Sequence, residues 1–383
     1  MSVKFRIKLI TVCILRVILR VFYLFPIKKN YILFSSFEGK QFSDNPKYLY
    51  SYIKNKFGDK YNYIWVLNNK STDICKEKKV SFLSFRHIYY LMTCKYIVSN
   101  LGIEPFFPKR KQQIFVNTWH GSGAYKSQSL SDKIGKNAYL INMRDYRSAH
   151  TDYYISGCGK YSGIMADSWN ADINKFLSIG TPRNDLFFFN ENQLNTIKNV
   201  VYRNLNLSNE YGYILFAPTY RGKSFRNHKS NNIEFDSSRI ISAAEKRFGK
   251  PFKFLYRCHI GSTDTFYDKN IINVSPYPDM QEIMLISDIL ITDYSSSMWD
   301  FSFLKRPGFL YVPDLNDYLN ERDFYTPIET WPFEYAKNEG DLEQLILHYD
   351  DILAQKKIEQ HLNLLESYEQ GCASEKLVEK LGL

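Results

Sequence analysis

Three serines, two histidines and several arginines, each placed just after a short apolar run, are what this 383-residue chain offers for chemistry. Ile289–Thr292 runs into Asp293 and Tyr294, then Ser295, Ser296 and Ser297 open a helix-like stretch that ends near Lys305, Arg306 and Pro307. Hydroxyls and unsatisfied N–H groups at a helix start suit a phosphate, and an N-cap with spare serines is the plain alternative. Ile114–Thr118 likewise runs into Trp119, His120, Gly121, Ser122 and Gly123. The glycines permit tight turns and close approach of a ligand, and His120 can accept a proton near neutral pH. Gly180–Asp185 carries Arg183, Asn184 and Asp185 in a turn. Ala217–Arg221 ends another apolar run with Thr219 and Arg221, where the guanidinium could clamp a phosphate through two parallel bonds. Tyr256–His259 adds Arg257 and His259. Each block alone also writes an ordinary turn, cap or surface residue.

Their shared placement points to phosphate chemistry. Moving a phosphoryl-linked group off a pyrophosphate requires positive charge and N–H donors around the leaving group, and a base for the attacking hydroxyl. The chain has no Gly-rich lysine loop of the Walker type and no Gly-x-Gly-x-x-Gly after a strand, which removes support from ordinary kinase and NAD readings. No His/Cys/Asp set has metal-site spacing, so the expectation is a reaction needing no metal or other cofactor, with a loosely held magnesium ion compatible.

Elements must bring these blocks together. Short runs rich in β-branched and aromatic residues recur at Tyr31–Ser35, Tyr63–Leu67, Tyr96–Ser99, Ile114–Thr118, Tyr153–Ser156 and Phe176–Ile179, with helical patterns such as Pro46–Phe57 and Phe85–Thr93 between them. A second set follows at Tyr213–Phe216, Phe252–Tyr256, Ile271–Asn273, Ile289–Thr292 and Phe309–Tyr311. The polar stretch Gln193–Glu210 reads as a connector. This alternation predicts an α/β fold of two Rossmann-like domains, 30–195 and 196–383, with a central cleft and ligands at the carboxyl ends of the strands. The helical tail from Asp341 to Leu383 is expected to cover the core and to cross between domains.

Apolar content of 44% with 23% charged residues fits a folded globular protein. The net charge of +10 favours anionic partners, whether nucleic acid, lipid headgroups or phosphorylated substrates. Six singly scattered cysteines suggest reduced thiols rather than a disulfide framework. No acidic residue precedes Glu38, and Lys4, Lys8, Arg16 and Arg20 share one broad helical face among apolar residues. Residues 1–29 therefore read as a basic amphipathic helix lying in a membrane interface. An ordinary docking helix, or a spanning or signal segment, is the alternative. Arg16 and Arg20 interrupt the ~20 apolar residues a span needs, and no small-residue cleavage site follows the run.

Five blocks in this order, Phe37–Tyr48, Asn117–Gly121, Gly180–Asp185, Ala217–Arg221 and Ile291–Ser296, resemble the CDP-glycerol glycerophosphotransferase family, whose members prime and polymerise wall teichoic acids and related capsule polymers. The resemblance covers roughly residues 31 to 325. It implies a GT-B-like fold, an acceptor-side first domain, and a second domain that binds the CDP donor. It also implies transfer of a polyol phosphate from CDP-glycerol or CDP-ribitol to a lipid-linked polymer acceptor at the cytoplasmic face of the membrane, with no nucleic-acid partner. By the same resemblance His120 is the base, His259 the second histidine, and Arg221, Asp293, Ser295, Ser296 and Ser297 hold the donor diphosphate. Trp119, Gly121, Arg183, Asn184, Asp185, Thr219 and Arg257 are further candidates. The chain departs from the family where Gly121 is followed by Ser122, Gly123, Ala124 and Tyr125, and where His259 is followed by Ile260. A nucleotide-sugar glycosyltransferase of the same fold and a non-catalytic membrane scaffold are the rival readings.

Overall fold

Every apolar run named above lies in a strand, and the strands pair in parallel, which buries them on both faces. The computed structural model describes residues 3–69, 77–123, 125, 137–219, 221–224, 227–229, 236–259, 270–321 and 323–383. The chain divides into two compact units. Met1–His120, Gln128–Phe188 and Ser367–Leu383 form the first; Gly121–Ser127 and Phe189–Glu366 form the second.

The first unit holds strands β1 (Lys28–Ser35), β2 (Asn62–Val66), β3 (Lys78–Val80), β4 (Cys94–Ser99), β5 (Ile114–Asn117), β6 (Tyr153–Ser156) and β7 (Phe176–Ser178), in the order β3-β2-β1-β4-β5-β6-β7. The second holds β8 (Gly212–Ala217), an antiparallel ribbon of β9 (Arg221–Ser224) and β10 (Asn227–Lys229), then β11 (Phe252–Tyr256), β12 (Ile271–Asn273), β13 (Ile289–Thr292), β14 (Gly308–Tyr311) and β15 (Glu334–Ala336). Its main sheet runs β12-β11-β8-β13-β14-β15. Both sheets are doubly wound: the chain moves outward in one direction, then returns to the centre and moves the other way. The turning points lie between β1 and β4 and between β8 and β13, where this topology opens a crevice. Strands β3, β15 and the β9–β10 ribbon escape sequence reading because they are short and their sequences hold few apolar residues.

The helix Ala373–Leu381 joins the first unit, where Leu377, Val378 and Leu381 enter one core with Ile32, Phe34 and Trp65. The tail's other helices, Glu339–Leu347 and Asp351–Leu364, stay with the second unit.

The N-terminal helix Val3–Leu19 leads into a 3-10 turn, Arg20–Leu24. Phe5, Leu9, Val12, Arg16 and Leu19 recur at helical spacing as its half-buried side, with Phe22 buried just beyond. Arg16 belongs to that inner side: its Nε donates to the Pro105 carbonyl at 2.7 Å, and its guanidinium lies 3.4 Å over the Tyr146 ring. Ile7, Ile10, Ile14, Val17, Ile18, Val21 and Leu24 face outward and are exposed. Among the described residues no helix is long and apolar enough to cross a membrane.

Candidate functional site

In the first unit the carboxyl ends of β1, β4 and β5 converge on His120. Its Nδ1 lies 3.0 Å from the Asn100 carbonyl, just past β4. Its ring makes tilted contacts with Trp119, centroids 4.3 Å apart, and with Phe37, which follows β1, at 5.5 Å. Trp119 takes φ 49°, a left-handed conformation that costs a bulky residue about 1–2 kcal/mol. Phe37, Glu38 and Asp44 are also left-handed. Strain of this kind persists only where the surroundings impose it, and it gathers at functional sites.

The Gly180–Asp185 block is committed to the fold. The Arg183 guanidinium lies 2.9 Å from the Asp44 carboxylate, with both side chains buried. Glu369 accepts from the Thr181 N–H and hydroxyl at 2.9 and 2.7 Å and from the Asn184 amide at 3.0 Å. Asp185 accepts from the Ala373 and Ser374 N–H groups, both at 2.8 Å, and so caps the helix Ala373–Leu381. Burial pushes the Asp185 carboxyl up, against the downward pull of those bonds. Gly180 has φ 85°, and a Cβ there would meet Glu369 Oε2 at 2.8 Å, so the turn needs glycine. Thr181, Asn184 and Asp185 thus tie the terminal segment to this turn, and Arg183 ties the turn to Asp44.

In the second unit the residues after β8 and β13 meet across the turning point. The buried Asp293 carboxylate accepts from the Thr219 N–H at 2.9 and 3.0 Å and from its hydroxyl at 3.0 Å. Thr292 donates to the Ala217 carbonyl at 2.7 Å. Asp293, expected to bind the diphosphate, accepts these bonds from Thr219 beside the turn that carries the serines. Ser295 and Ser296 are half-buried and Ser297 is buried at the start of a short helix, Ser297–Ser302. The helix-start argument weakens here, because the N–H groups of Ser297, Met298 and Trp299 are taken up within the turn.

Arg257, after β11, is buried and donates to the carbonyls of Val274, Tyr277 and Pro278 at 3.3, 2.5 and 3.4 Å. Burial lowers its pKa, with Asp279 opposing. His259 follows two residues later and is half-buried. Arg221 begins β9, and its side chain lies outside the described residues.

Gly121, Ser122, Gly123 and Tyr125 belong to the second unit, so the chain passes from one unit to the other immediately after His120. Gly123, at φ 83°, turns the chain so that a Cβ would collide with the Tyr125 ring at 2.4 Å. Tyr125 is anchored: its hydroxyl lies 2.9 Å from His361 Nε2, and its carbonyl accepts from the Tyr325 N–H at 2.7 Å.

Three residues beside His120 carried no site assignment from sequence: Asp44, Asn45 and Asn100. The first two lie inside the Phe37–Tyr48 block, and Asn100 directly follows a strand, which is the signal that marked His120. Among the described residues no group of three or more His, Cys, Asp or Glu could hold a metal ion.

The profile of the CDP-Glycerol:Poly(glycerophosphate) glycerophosphotransferase family matches residues 17–382. A teichoic acid poly(glycerol phosphate) polymerase of Bacillus spizizenii is 30% identical over 385 residues, covering 95% of each chain. A teichoic acid ribitol-phosphate primase of the same species is 27% identical over 365 residues, covering 93% of this chain and 92% of its own. A structure of the wall teichoic acid polymerase TagF, solved as a histidine-to-asparagine variant soaked with CDPG, superposes with a TM-score of 0.80 at 26% identity, over 100% of this chain and 98% of that one. The chain spans only 50% and 42% of two other poly(glycerol phosphate) polymerases, from Staphylococcus epidermidis and Bacillus subtilis.

Proposed function

The chain belongs to the CDP-glycerol:poly(glycerophosphate) glycerophosphotransferase family, and from that premise we propose which of its residues perform the transfer. The enzyme moves a polyol phosphate from a CDP-activated donor to a hydroxyl of a teichoic-acid acceptor and releases CMP. In our reading the acceptor oxygen attacks the donor's β-phosphorus in line. The new P–O bond forms as the bond to CMP breaks, and His120 takes the hydroxyl proton. Arg221, His259 and the hydroxyls of Ser295, Ser296 and Ser297 stabilise the charge on departing CMP. Asp293 and Thr219 hold the serine turn. The first unit receives the acceptor and the second the donor. No resident cofactor is required.

The observation that carries this reading is His120, held by a carbonyl and two aromatic rings at the strand ends of the first sheet. The donor is glycerol- or ribitol-based, as in the two kinds of relative above. We also propose that the enzyme sits on the cytoplasmic face of the membrane beside a lipid-linked acceptor. The outward apolar row from Ile7 to Leu24 would enter the interface, with exposed Arg6, Lys8 and Arg20 at anionic headgroups.

The test offers CDP-glycerol, CDP-ribitol and a nucleotide sugar in parallel with a lipid-linked acceptor analogue, following CMP release and product mass. Mass gained in polyol-phosphate steps names the donor and separates primer from polymer synthesis. Sugar transfer would replace this reading with a glycosyltransferase, and inertness with all three would favour a scaffold. His120→Ala should abolish turnover while the fold persists; near-normal turnover would remove His120 as the base.

A further inference from the structure

We propose that Asn45, together with Asp44, Asn100 and Arg183, is a positioning cluster that sets the backbone and ring of His120 for proton transfer; this rests on the assignment of His120 as base. A carbonyl oxygen only accepts, so the contact between His120 Nδ1 and the Asn100 carbonyl places the hydrogen of the neutral ring on Nδ1. The lone pair, and with it the basic function, then belongs to Nε2.

Asn45 secures the strained approach to that ring. Its Nδ2 donates to the carbonyls of both Thr118 and Trp119 at 3.1 Å, bracketing the left-handed Trp119. The Trp119 N–H is held by Asn117 Oδ1 at 2.9 Å. Asn45 is itself fixed, since its Oδ1 accepts from the Arg183 N–H at 3.1 Å. Arg183 pairs with one oxygen of Asp44, and the other accepts from Asn100 Nδ2 at 2.6 Å. Asn100 Oδ1 then accepts from the Phe37 N–H at 2.9 Å, which holds the second ring beside His120.

Two positions along the chain, 44 and 45, therefore control the two contacts that define His120: its carbonyl partner through Asn100, and its backbone through Trp119. All of these groups lie in the first unit. A buried ion pair under a turn is often only structural, and removing one partner of such a pair is costly whatever its purpose. What separates positioning from bulk support is whether the loss passes through His120.

The experiment measures kcat and donor KM against pH on the full chain, with the donor identified above. Asn45→Ala should lower kcat about 100-fold, the scale of a small misplacement of a catalytic group, with donor KM changed less than about twofold. His120→Ala leaves no rate to lower, so the coupling is read from the pH profile of Asn45→Ala, where the limb of kcat set by the base should move. Full kcat in Asn45→Ala beside a dead His120→Ala would overturn the positioning role and leave the base assignment standing. A lowered kcat whose pH profile keeps its wild-type shape would overturn it as well, by showing that Asn45 acts elsewhere. Turnover by His120→Ala would remove the base assignment, and the cluster's role with it. Should Asn45→Ala fail to fold, Asp44→Asn, which keeps the side-chain shape, is judged by the same outcomes.

Discussion

Arg183, Arg257 and Arg306 flank strand ends, and each guanidinium donates to protein acceptors. Arg183 pairs with Asp44, Arg257 gathers three carbonyls, and Arg306 donates to the Leu285 and Ser287 carbonyls at 2.9 and 2.6 Å. A planar fork of five donors suits buried carbonyls as well as it suits phosphate, so residue type alone does not tell the two uses apart. The pairing of Asp293 with Thr219 is similar in kind. Replacing Asp293 by Ala leaves a buried N–H and a hydroxyl without their acceptor, at a cost of about 2–3 kcal/mol. Thr219→Val keeps the backbone bond and should cost about 1 kcal/mol. Urea midpoints of the two variants check the order; equal losses would contradict this account of the turn.

Two helices are defined by what holds their ends and faces. Ala373–Leu381 is capped by a residue far away in sequence, Asp185, so Asp185→Ala should destabilise the first unit by about 1–2 kcal/mol while leaving donor KM unchanged. Denaturation curves and donor titration measure the two effects separately. The helix Val3–Leu19 turns Arg16 inward and a row of isoleucines and valines outward. Each such side chain is worth about 1.5–3 kcal/mol when removed from water. Replacing Ile14 and Val17 together by Asp should therefore weaken binding to anionic vesicles by at least about tenfold, with turnover of a soluble acceptor analogue preserved. Unchanged sedimentation with vesicles would remove this helix as the proposed membrane contact.

Each unit also carries a buried histidine that must stay neutral. In the first, His87 Nδ1 accepts from the Leu83 N–H at 3.0 Å. In the second, His361 donates from Nδ1 to the Thr330 carbonyl at 2.7 Å, so its Nε2 accepts from Tyr125. Burial depresses both from 6.5 to about 4. With folded pKa values below the unfolded ones, their contribution is complete above about 6.5 and is lost as the pH falls toward 4, on the order of 3 kcal/mol for each. The formal charge of +10 adds self-repulsion in the same direction. Thermal unfolding should fall steeply between pH 6.5 and 4, and His361→Gln should flatten part of that fall. A variant with an undiminished slope would assign the acid sensitivity to other groups.

The sequence by itself determined the strands of both sheets except β3 and β15, and the placement of the histidine and serine blocks at their carboxyl ends. Buried parallel strands must be continuous apolar runs, and glycine, proline and polar residues must follow them where the chain turns. Local order carries that information because it concerns neighbours a few residues apart. Only the tertiary structure decided which partners the polar residues meet inside the fold. It committed Arg183 to Asp44, turned Arg16 inward, returned the final helix to the first unit, and set Asn45 beneath Trp119. Each of these depends on a partner tens to hundreds of residues away, and a guanidinium or amide has the same donors whichever partner the fold supplies.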